Sequence, residues 1–346
     1  MFSTVSAMDF GLIWPFRNPP IGDGTRSTAD VYHDSLDEIV AAEDMGYASA
    51  WLTEHHFCDD DYLPSVMPVL GAAAVRTSTI RLGPYVLQSP LHDPVRLAED
   101  AAVVDVLSRG RLDLALGVGY REDEFAGLSI DRRKRGRRHE ESTQILLRAW
   151  QDGPMSFEGD VFTVPEVDVT PKPVQQPIPI WLGGTSRPVL ERVARLGIPG
   201  VAGRPAREDM DYFLEQLALH GRDPRDVDYL PFRFLWVDHD HERARKVVMP
   251  FAQWVIGNYQ KWFGAAETTE QVFEGEIERL GIFGSPEYCV DQLGRFLERG
   301  AYAPATQLII QPPLLGFDHA ESMRMMETFA SDVMPHFADL HQSHPA

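Results

Sequence analysis

The segment Ala48-Ser-Ala-Trp-Leu-Thr53 is a short apolar run that leads directly into Glu54-His55-His56-Phe57. Runs of this length and composition are typical of strands buried in a parallel sheet. Two imidazoles and one carboxylate therefore stand where a strand ends. In an α/β barrel, the side chains at the carboxyl ends of the strands converge on one mouth and carry the chemistry. This segment thus predicts both a fold and the position of a functional site.

The same unit, a short apolar run followed by a helical pattern, recurs along the chain. Eight such strands with helices between them predict an α/β fold, a (β/α)₈ TIM barrel with insertions, rather than an open doubly wound sheet. No Gly-x-Gly-x-x-Gly follows the first strand, which argues against a dinucleotide-binding fold. The predicted strands cover residues 8–14, 48–53, 79–87, 112–118, 178–182, 200–202, 230–237 and 307–311, and a hairpin over 155–164 and 167–170 interrupts the series.

Length and composition limit the number of domains and the class of partner. A chain of 346 residues with 44% hydrophobic content suffices for one barrel. No linker composition divides it, so residues 1–346 are predicted to form a single domain with residues 1–7 as a disordered extension. The net charge of −20, from 52 acidic and 32 basic residues, argues against nucleic acid and anionic membranes as partners.

Two local features of the chain bear on localisation and surface charge. Residues 1–7 lack the pattern of a signal peptide, and no apolar stretch reaches the roughly 18 residues of a membrane span, so a cytoplasmic protein is predicted. The basic run Arg132-Arg-Lys-Arg-Gly-Arg-Arg138 stands out in an acidic chain. We interpret this run as a solvated loop and the start of a helix.

The pair His55-His56 is interpreted first as an acid/base group, because an imidazole exchanges protons near neutral pH. Glu54 stands next to the pair and could set the tautomer of an imidazole. A metal site is disfavoured, since adjacent histidines point to different sides and no third ligand with suitable spacing accompanies them. A purely structural histidine pair remains open at this point.

Three other strand ends carry candidate binding residues. The first contains Tyr85-Val86, which forms either a floor for a flat ring or part of the core. The second contains Gly117, which either lets a ligand approach the backbone or forms a tight turn. The third is the turn Gly183-Gly184-Thr185-Ser186, named here the 183–186 turn, where free N–H groups, two hydroxyls and a helix dipole can hold a phosphate. The alternative interpretation is that Thr185 or Ser186 is only the N-cap of the helix that follows.

Together, the histidines, the floor and the 183–186 turn describe a pocket that fits flavin mononucleotide, FMN. Several stretches also match, in the same order, those of the bacterial luciferase-like flavin-dependent monooxygenase family, which the chain resembles over nearly its whole length. The match extends to the catalytic alpha subunit of bacterial luciferase. The matching stretches are Glu54-His-His-Phe57, Asp93-Pro-Val-Arg-Leu-Ala-Glu-Asp100, Ser108-Arg-Gly-Arg111, Ala194-Arg-Leu-Gly-Ile-Pro199, Val237-Asp-His-Asp240 and Ser331-Asp-Val-Met-Pro335.

The resemblance implies an oxidoreductase that takes reduced FMN as a cosubstrate and reacts it with O₂ to form a flavin hydroperoxide. This species would oxygenate a small organic substrate such as an aldehyde, a terpene or a polyketide-like compound. His55 falls on the family's catalytic histidine, and His56 and Glu54 match its neighbours. A separate flavin reductase as the source of reduced FMN and a homodimeric assembly are further expectations from the family.

The resemblance also implies cofactor-binding residues. Tyr85-Val86 falls on a non-proline cis peptide under the flavin ring, Gly117 on a residue that lines the ring, and the 183–186 turn on the segment that holds the ring edge and the phosphate. The chain departs from luciferase at Val118, where luciferase has a phosphate-binding arginine, and at Thr185, where it has a glutamate. Arg187 is a candidate replacement for the missing charge. The stretch 264–284 is much shorter than luciferase's mobile lid.

Two alternative functions stay open. Deazaflavin-dependent dehydrogenases and reductases of the same superfamily transfer hydride without oxygen. A non-catalytic partner subunit, like the second chain of luciferase, is a third interpretation, although that chain lacks the first histidine of the pair.

Overall fold

The structure is a computed structural model that describes residues 8–19, 26–262, 281–303, 305–312 and 318–338. It divides into two compact units. The first unit comprises Met1–Ala50, Asp59–Asp61 and Tyr229–Ala346, and the second comprises Trp51–Cys58 and Tyr62–Asp228. This division does not test the predicted single domain, which stays a prediction, and the predicted extension over residues 1–7 lies outside the described residues.

Strands and helices alternate along most of the described chain. The strands are β1 Asp9–Trp14, β2 Ser49–Leu52, β3 Arg81–Gln88, β4 Leu114–Gly117, β5 Met155–Glu158, β6 Thr163–Val167, β7 Ile180–Gly183, β8 Gly200–Ala202, β9 Asp228–Tyr229, β10 Phe232–Val237, β11 Gly281–Gly284 and β12 Gln307–Gln311. The helices are α1 Thr28–Asp44, α2 Val66–Arg76, α3 Pro94–Ser108, α4 Glu122–Gly127, α5 Arg135–Ala149, α6 Arg187–Leu196, α7 Arg207–Leu219, α8 His241–Trp262, α9 Pro286–Arg299 and α10 His319–Asp332. Short 3₁₀ helices cover Ser89–Leu91, Arg132–Lys134, Pro224–Asp226 and Met334–Phe337.

All eight predicted strands are confirmed, with ends that differ by no more than two residues. The predicted hairpin is also confirmed, since β5 and β6 pair antiparallel, but its turn lies inside the predicted first arm. Glu141 explains this turn, because its carboxylate accepts hydrogen bonds from the backbone N–H groups of residues 160–162 at 2.9 to 3.0 Å. Strand β11 was not predicted, because only Ile282 and Phe283 stand between its two glycines.

In the second unit, β3, β4, β7 and β8 are neighbouring parallel strands in that order. Gln88 lies opposite Gly117, and Gly183 lies opposite Ala202. The carboxyl ends of these strands therefore meet at one edge, and the loops after them lie side by side. This edge holds the candidate site.

The turn Ser108-Arg-Gly-Arg111 connects α3 to the strand region of the second unit. Arg109 adopts a left-handed φ of 58° and Gly110 a φ of 85°, which together reverse the chain. The buried Arg111 guanidinium then donates to the carbonyl oxygens of Ala74, Thr77 and Ile80 at 2.6 to 3.0 Å. Because a buried cation must be hydrogen-bonded, this arginine stabilises the junction of α2, β3 and α3.

In the first unit, β11, β10, β12 and β1 are neighbouring parallel strands in that order. Behind them, the buried Glu38 of α1 accepts a hydrogen bond from Trp14 Nε1 at 3.0 Å. A second buried carboxylate, Asp60, pairs with Arg17 Nε at 2.5 Å, and the Arg17 guanidinium lies 4.2 Å from the ring centre of Trp254 on α8. These contacts join the loop after β1 to α8.

Candidate active site

His55 lies in the loop after β2 and is paired with Glu124, which α4 carries. The distance from His55 Nδ1 to Glu124 Oε1 is 2.8 Å, and the two side chains are 8% and 0% exposed. The backbone N–H of His56 donates to the same oxygen at 3.0 Å, and Arg121 Nη1 lies 3.3 Å away. Burial raises the pKa of the Glu124 carboxyl, but these donors outweigh it and leave the pKa below its usual value. Glu124 is therefore ionised and accepts from His55 Nδ1–H.

The second ring nitrogen of His55 faces Tyr120, the residue that ends the loop after β4. The Tyr120 hydroxyl lies 3.4 Å from His55 Nε2, and the Tyr62 ring packs edge-on at 5.0 Å between ring centres. In the neutral imidazole, the hydrogen given to Glu124 stands on Nδ1, so Nε2 has the lone pair. His55 thus presents a proton acceptor within a buried, aromatic setting.

Glu54 does not contact His55, and of the two adjacent imidazoles it lies beside that of His56. Its carboxylate accepts from His92 Nε2 at 2.6 Å and from the backbone N–H of Gln88, and it lies 3.4 Å from His56 Nε2. Successive side chains in extended backbone point to opposite sides, which takes Glu54 away from His55. Burial raises the pKa of Glu54, but the charge of His92 and hydrogen bonds from His56, His92 and the Gln88 backbone outweigh it and lower the pKa to about 2.

Arg121 joins the histidine loop to α4. Besides Glu124, its Nη1 reaches the carbonyl oxygen of His56 at 2.9 Å and the Cys58 sulfur at 3.0 Å. The guanidinium is buried, so it balances the charge of Glu124 inside the protein. Cys58 is a half-buried thiol that contacts this arginine.

The floor of the site is formed where β3, β4 and β7 end. The peptide bond between Tyr85 and Val86 is cis, which confirms the non-proline cis peptide that the resemblance implies. A Cβ on Gly117 would lie 2.5 Å from Val86 Cγ2, and one on Gly183 would lie 2.8 Å from Val86 Cγ1. The lack of a side chain at Gly117 and Gly183 therefore makes room for the Val86 side chain. The structure explains both glycines by this packing and not by the close approach of a ligand.

The 183–186 turn runs from β7 into α6. Gly184 has a φ of 103°, a conformation that side chains rarely adopt. Ser186 is the N-cap residue of α6, as the plain helix-cap interpretation has it, but its side chain makes no capping hydrogen bond. Thr185 packs against the loop after β8, since a Cβ on Gly203 would lie 3.0 Å from its Cγ2.

Arg187 does not offer an unpaired charge to this turn. Its Nε donates to Asp209 at 2.8 Å, and its guanidinium lies 5.0 Å from the ring centre of Tyr212 on α7. The candidate replacement for the missing phosphate-binding arginine is thus already paired. Val118 itself is half-buried between Gly117 and Gly119.

The functional residues missed by the sequence interpretation are Glu124, as the partner of His55, and Arg121 and His92. Glu124 stands in an acidic run, Glu122-Asp-Glu124, and the pattern alone does not distinguish its members. A signal exists in Phe125, because a buried aromatic residue directly after Glu124 indicates that this part of α4 faces inward.

The described residues contain neither a metal-binding cluster nor a membrane-spanning helix. Within the described ranges, the histidine, cysteine and carboxylate side chains form no cluster of three or more suited to a metal ion. None of the helices that the structure describes is both long and apolar enough to cross a membrane.

Comparison with known proteins identifies the family. Residues 8–303 match the family model of the luciferase-like monooxygenases. The chain belongs to this family and is an oxidoreductase. The predicted resemblance is confirmed.

Curated relatives span more than one activity. An uncharacterised protein of Sinorhizobium fredii, y4vJ, is 32% identical over 50% of this chain and 49% of its own, so the match spans about half of that protein. Limonene 1,2-monooxygenase of Rhodococcus erythropolis is 26% identical over 88% of this chain and 81% of its own. The F420-dependent glucose-6-phosphate dehydrogenase of Amycolatopsis mediterranei is 23% identical over 90% and 97%.

Solved structures show the fold. Monooxygenase RslO1 of Streptomyces bottropensis gives a TM-score of 0.77 at 24% identity, covering 96% of this chain and 100% of that one. The oxygenating constituent of 3,6-diketocamphane monooxygenase of Pseudomonas putida, in complex with FMN, gives 0.73 at 19% identity, covering 95% and 98%. These likenesses confirm the (β/α)₈ barrel fold.

Proposed function

We propose that the protein is a flavin-dependent monooxygenase that uses reduced FMN and O₂ to oxygenate a small organic substrate such as an aldehyde, a terpene or a polyketide-like compound. The observation that carries the proposal is the buried pair of His55 and Glu124, which leaves one imidazole nitrogen as a proton acceptor beside Tyr120. The similarity to limonene 1,2-monooxygenase and to the FMN complex of 3,6-diketocamphane monooxygenase supports it.

The residues present fit FMN in the chemistry that they offer. Thr185 and Ser186 carry hydroxyls at the start of α6, where the helix dipole favours an anion such as a phosphate. Tyr85 and Val86 offer an apolar surface to a flat ring. When bound, reduced FMN supplies the electrons and the activation of O₂.

The chain's own residues manage protons and exclude water. Glu124 holds His55 so that Nε2 takes up or returns a proton, which makes His55 the catalytic residue of this proposal. Arg121 keeps Glu124 ionised, and Tyr120 lies where its hydroxyl contacts the same nitrogen. The burial of His55 and Glu124 keeps bulk water from this exchange. His56 and Glu54 form the neighbouring group with His92.

Substrate-dependent oxygen consumption tests this function. Purified protein receives chemically reduced FMN and a panel of aldehydes, terpenes and aromatic polyketide-like compounds, and the oxygenated product is identified by mass spectrometry. We expect His55→Ala to lower the rate by roughly 10²- to 10⁴-fold, since a general acid/base group contributes that much. His220→Ala, at the exposed end of α7, is the control and keeps the rate. Full activity in His55→Ala would reject the proposed role.

Deazaflavin-dependent hydride transfer is the second candidate, because the relatives include an F420-dependent dehydrogenase. Titration with oxidised FMN and with F420, followed by flavin fluorescence, distinguishes the two. Tight binding of F420 alone, with turnover under anaerobic conditions, would replace the first proposal by the second.

We further propose that a separate flavin reductase supplies the reduced FMN and that the protein acts as a homodimer. Adding a flavin reductase with NADH should replace chemical reduction of FMN in the oxygen assay. Sedimentation velocity over a range of concentrations measures the assembly, and a species of 38.9 kDa at all concentrations would contradict the dimer.

A further inference from the structure

The basic run of residues 132–138, named here the cationic segment, is the strongest local positive charge in a chain of net charge −20. Its first part is the 3₁₀ helix Arg132–Lys134, and the rest begins α5 at Arg135. The predicted loop and helix start are therefore confirmed in outline. Arg133 and Lys134 are exposed, as predicted for a solvated loop, whereas Arg132 and Arg135 are half-buried.

The side chains of the cationic segment fall into two groups by their partners. Arg133 pairs with Asp131 at 3.0 Å, and Arg137 pairs with Asp160 at 3.2 Å and Glu140 at 3.7 Å. The other four cations form no ion pair with a carboxylate in the described part of the chain. They are Arg132, Lys134, Arg135 and Arg138, of which the arginines donate only to backbone carbonyls.

The positive charge of the cationic segment lies at a helix start, where helix electrostatics disfavours it. The start of a helix carries partial positive charge, so acidic residues stabilise the first turn and basic ones destabilise it. The first turn of α5 contains no acidic residue, and its N-cap residue Lys134 makes no side-chain capping bond. A cluster of unpaired cations at this position indicates a function other than stability.

The cationic segment lies beside the 183–186 turn and the His55 loop. One guanidinium, that of Arg192 on α6, contacts both the segment and the first turn of α6. Its Nη1 donates to the carbonyl oxygen of Pro188 at 3.2 Å, and its Nη2 would lie 3.2 Å from a Cβ placed on Gly136. On the other side, Arg132 Nε donates to the carbonyl oxygen of Tyr120 at 3.1 Å. The segment therefore joins the two parts of the candidate site.

The arginines of α6 do not provide a free charge to the 183–186 turn. Arg187 pairs with Asp209, and Arg192 and Arg195 share Glu140 at 3.4 and 3.0 Å. Val118 stands where the resemblance expects the phosphate-binding arginine. An FMN phosphate held by hydroxyls and amides still carries its negative charge, which a net acidic protein repels.

We propose that Lys134 and Arg135 supply the positive charge that favours the phosphate of the flavin cofactor at the 183–186 turn, and that they make the site prefer FMN over flavins without a phosphate. The inference rests on the proposed function, since it takes a flavin to be the ligand. Specificity for the phosphate of the cofactor then comes from the cationic segment, which lies after β4, and not from the end of the strand itself.

The test compares the dissociation constants of FMN and riboflavin, which share the ring and differ in the phosphate. Flavin fluorescence quenching measures both at several NaCl concentrations. We expect the double variant Lys134→Gln/Arg135→Gln to raise Kd for FMN about tenfold at low salt, because two cations that no carboxylate neutralises are lost. Kd for riboflavin should stay within about twofold, and the dependence of FMN binding on salt should weaken.

Two control variants separate charge from structure. Arg133→Gln removes a cation that Asp131 already neutralises and should leave both constants unchanged. Lys134→Arg/Arg135→Lys keeps both charges and should restore the preference for FMN. Circular dichroism checks that α5 is retained in each variant.

Three outcomes would overturn the inference. An unchanged ratio of the FMN and riboflavin constants in the double variant rejects it while leaving flavin binding, and with it the proposed function, intact. The same holds if Arg204→Gln, in the loop after β8, abolishes the preference and the double variant does not. If the wild-type protein binds neither flavin, the proposed cofactor and this inference fail together.

Discussion

At the scale of single residues, the candidate site separates two histidine-carboxylate pairs that the sequence places side by side. His55 is paired with Glu124, whereas His56 and His92 surround Glu54. Only the first pair leaves an imidazole nitrogen facing a tyrosine hydroxyl. The two pairs therefore have different expected functions, proton exchange for the first and stabilisation of the strand ends for the second.

Replacing Glu124 tests its function as a positioning residue. In Glu124→Gln the amide no longer carries the charge that orients His55 Nδ1–H, so we expect kcat to fall about 100-fold, in the range typical of a lost acid/base contribution. KM for the organic substrate should change little, because no proposed contact to it is lost. Steady-state oxygen consumption gives both constants. Glu124→Asp should restore part of kcat, and an equal loss in both variants with a raised KM would indicate a structural role instead.

Glu54 and His92 make folding stability depend on pH. Burial lowers the pKa of His92, but the charge and hydrogen bond of Glu54 outweigh it and raise the pKa above its usual 6.5. A raised pKa means that this stabilisation is fully present below about pH 6.5 and is lost as pH rises through the folded-state value. The lowered pKa of Glu54, about 2, means that its contribution is present above its ordinary value and is lost as pH falls toward 2.

His92→Gln should therefore remove stability chiefly on the acidic side of neutrality. Urea unfolding at pH 6 should show a loss of about 2 kcal/mol, as for a hydrogen bond to a charged group, and the difference from wild type should shrink at pH 9. His33→Gln, on the surface of α1, is the matched control. A difference that is the same at both pH values would mean that the pair is not charged in the folded protein.

At the scale of elements, the site depends on how closely the ends of β3, β4 and β7 approach. Val86 fills the space that Gly117 and Gly183 leave open. The two glycines are thus explained by packing between strands. The resemblance also implies that Gly117 contacts the cofactor. This contact remains a proposal, and the Val86 side chain would lie between Gly117 and the cofactor.

Gly117→Ala should destabilise the second unit through this contact. The new Cβ would lie 2.5 Å from Val86 Cγ2, and such overpacking typically loses about 1–3 kcal/mol. Val86→Ala should relieve the clash, so the double variant should be more stable than the sum of the two single losses predicts. Thermal or urea unfolding of the four proteins gives the coupling, and strict additivity would show that the two side chains do not meet.

Much of the fold was predictable because it depends on short-range patterns. Apolar runs at regular intervals predicted β1 to β4 and the other strands of the eight, while β11, with two apolar residues between glycines, carries too little pattern to predict. The 183–186 turn before α6 and the histidines after β2 could also be recognised from the sequence. Glu124 was not, because the contact between α4 and the loop after β2 joins residues 69 positions apart, and the one local signal, the aromatic Phe125 next to Glu124, does not name the partner across that distance.

At the scale of the whole molecule, family and fold define the class of enzyme and leave its cofactor open. The family model covers residues 8–303, and the relatives include both a monooxygenase and an F420-dependent dehydrogenase. Enzymes with this barrel therefore carry out either oxygenation or hydride transfer. Only the residues of the site can distinguish the two reactions. In this chain, the site offers two hydroxyls at the start of α6 and an acid/base histidine across the strand ends.

Large net charge makes electrostatics a property of the whole chain as well. With 52 acidic residues against 32 basic ones, the protein repels anions except where cations are concentrated, as in the cationic segment. The resemblance relates the stretch 264–284 to a shortened lid; its last four residues form β11, and residues 264–280 lie outside the described residues.

The most direct test of the central claim is a crystal structure of the protein soaked with FMN. We expect the phosphate within hydrogen-bonding distance of the Thr185 and Ser186 hydroxyls, the ring against Tyr85 and Val86, and the reactive edge of the ring toward His55. A flavin whose phosphate lies elsewhere, or whose ring lies away from His55, would contradict it.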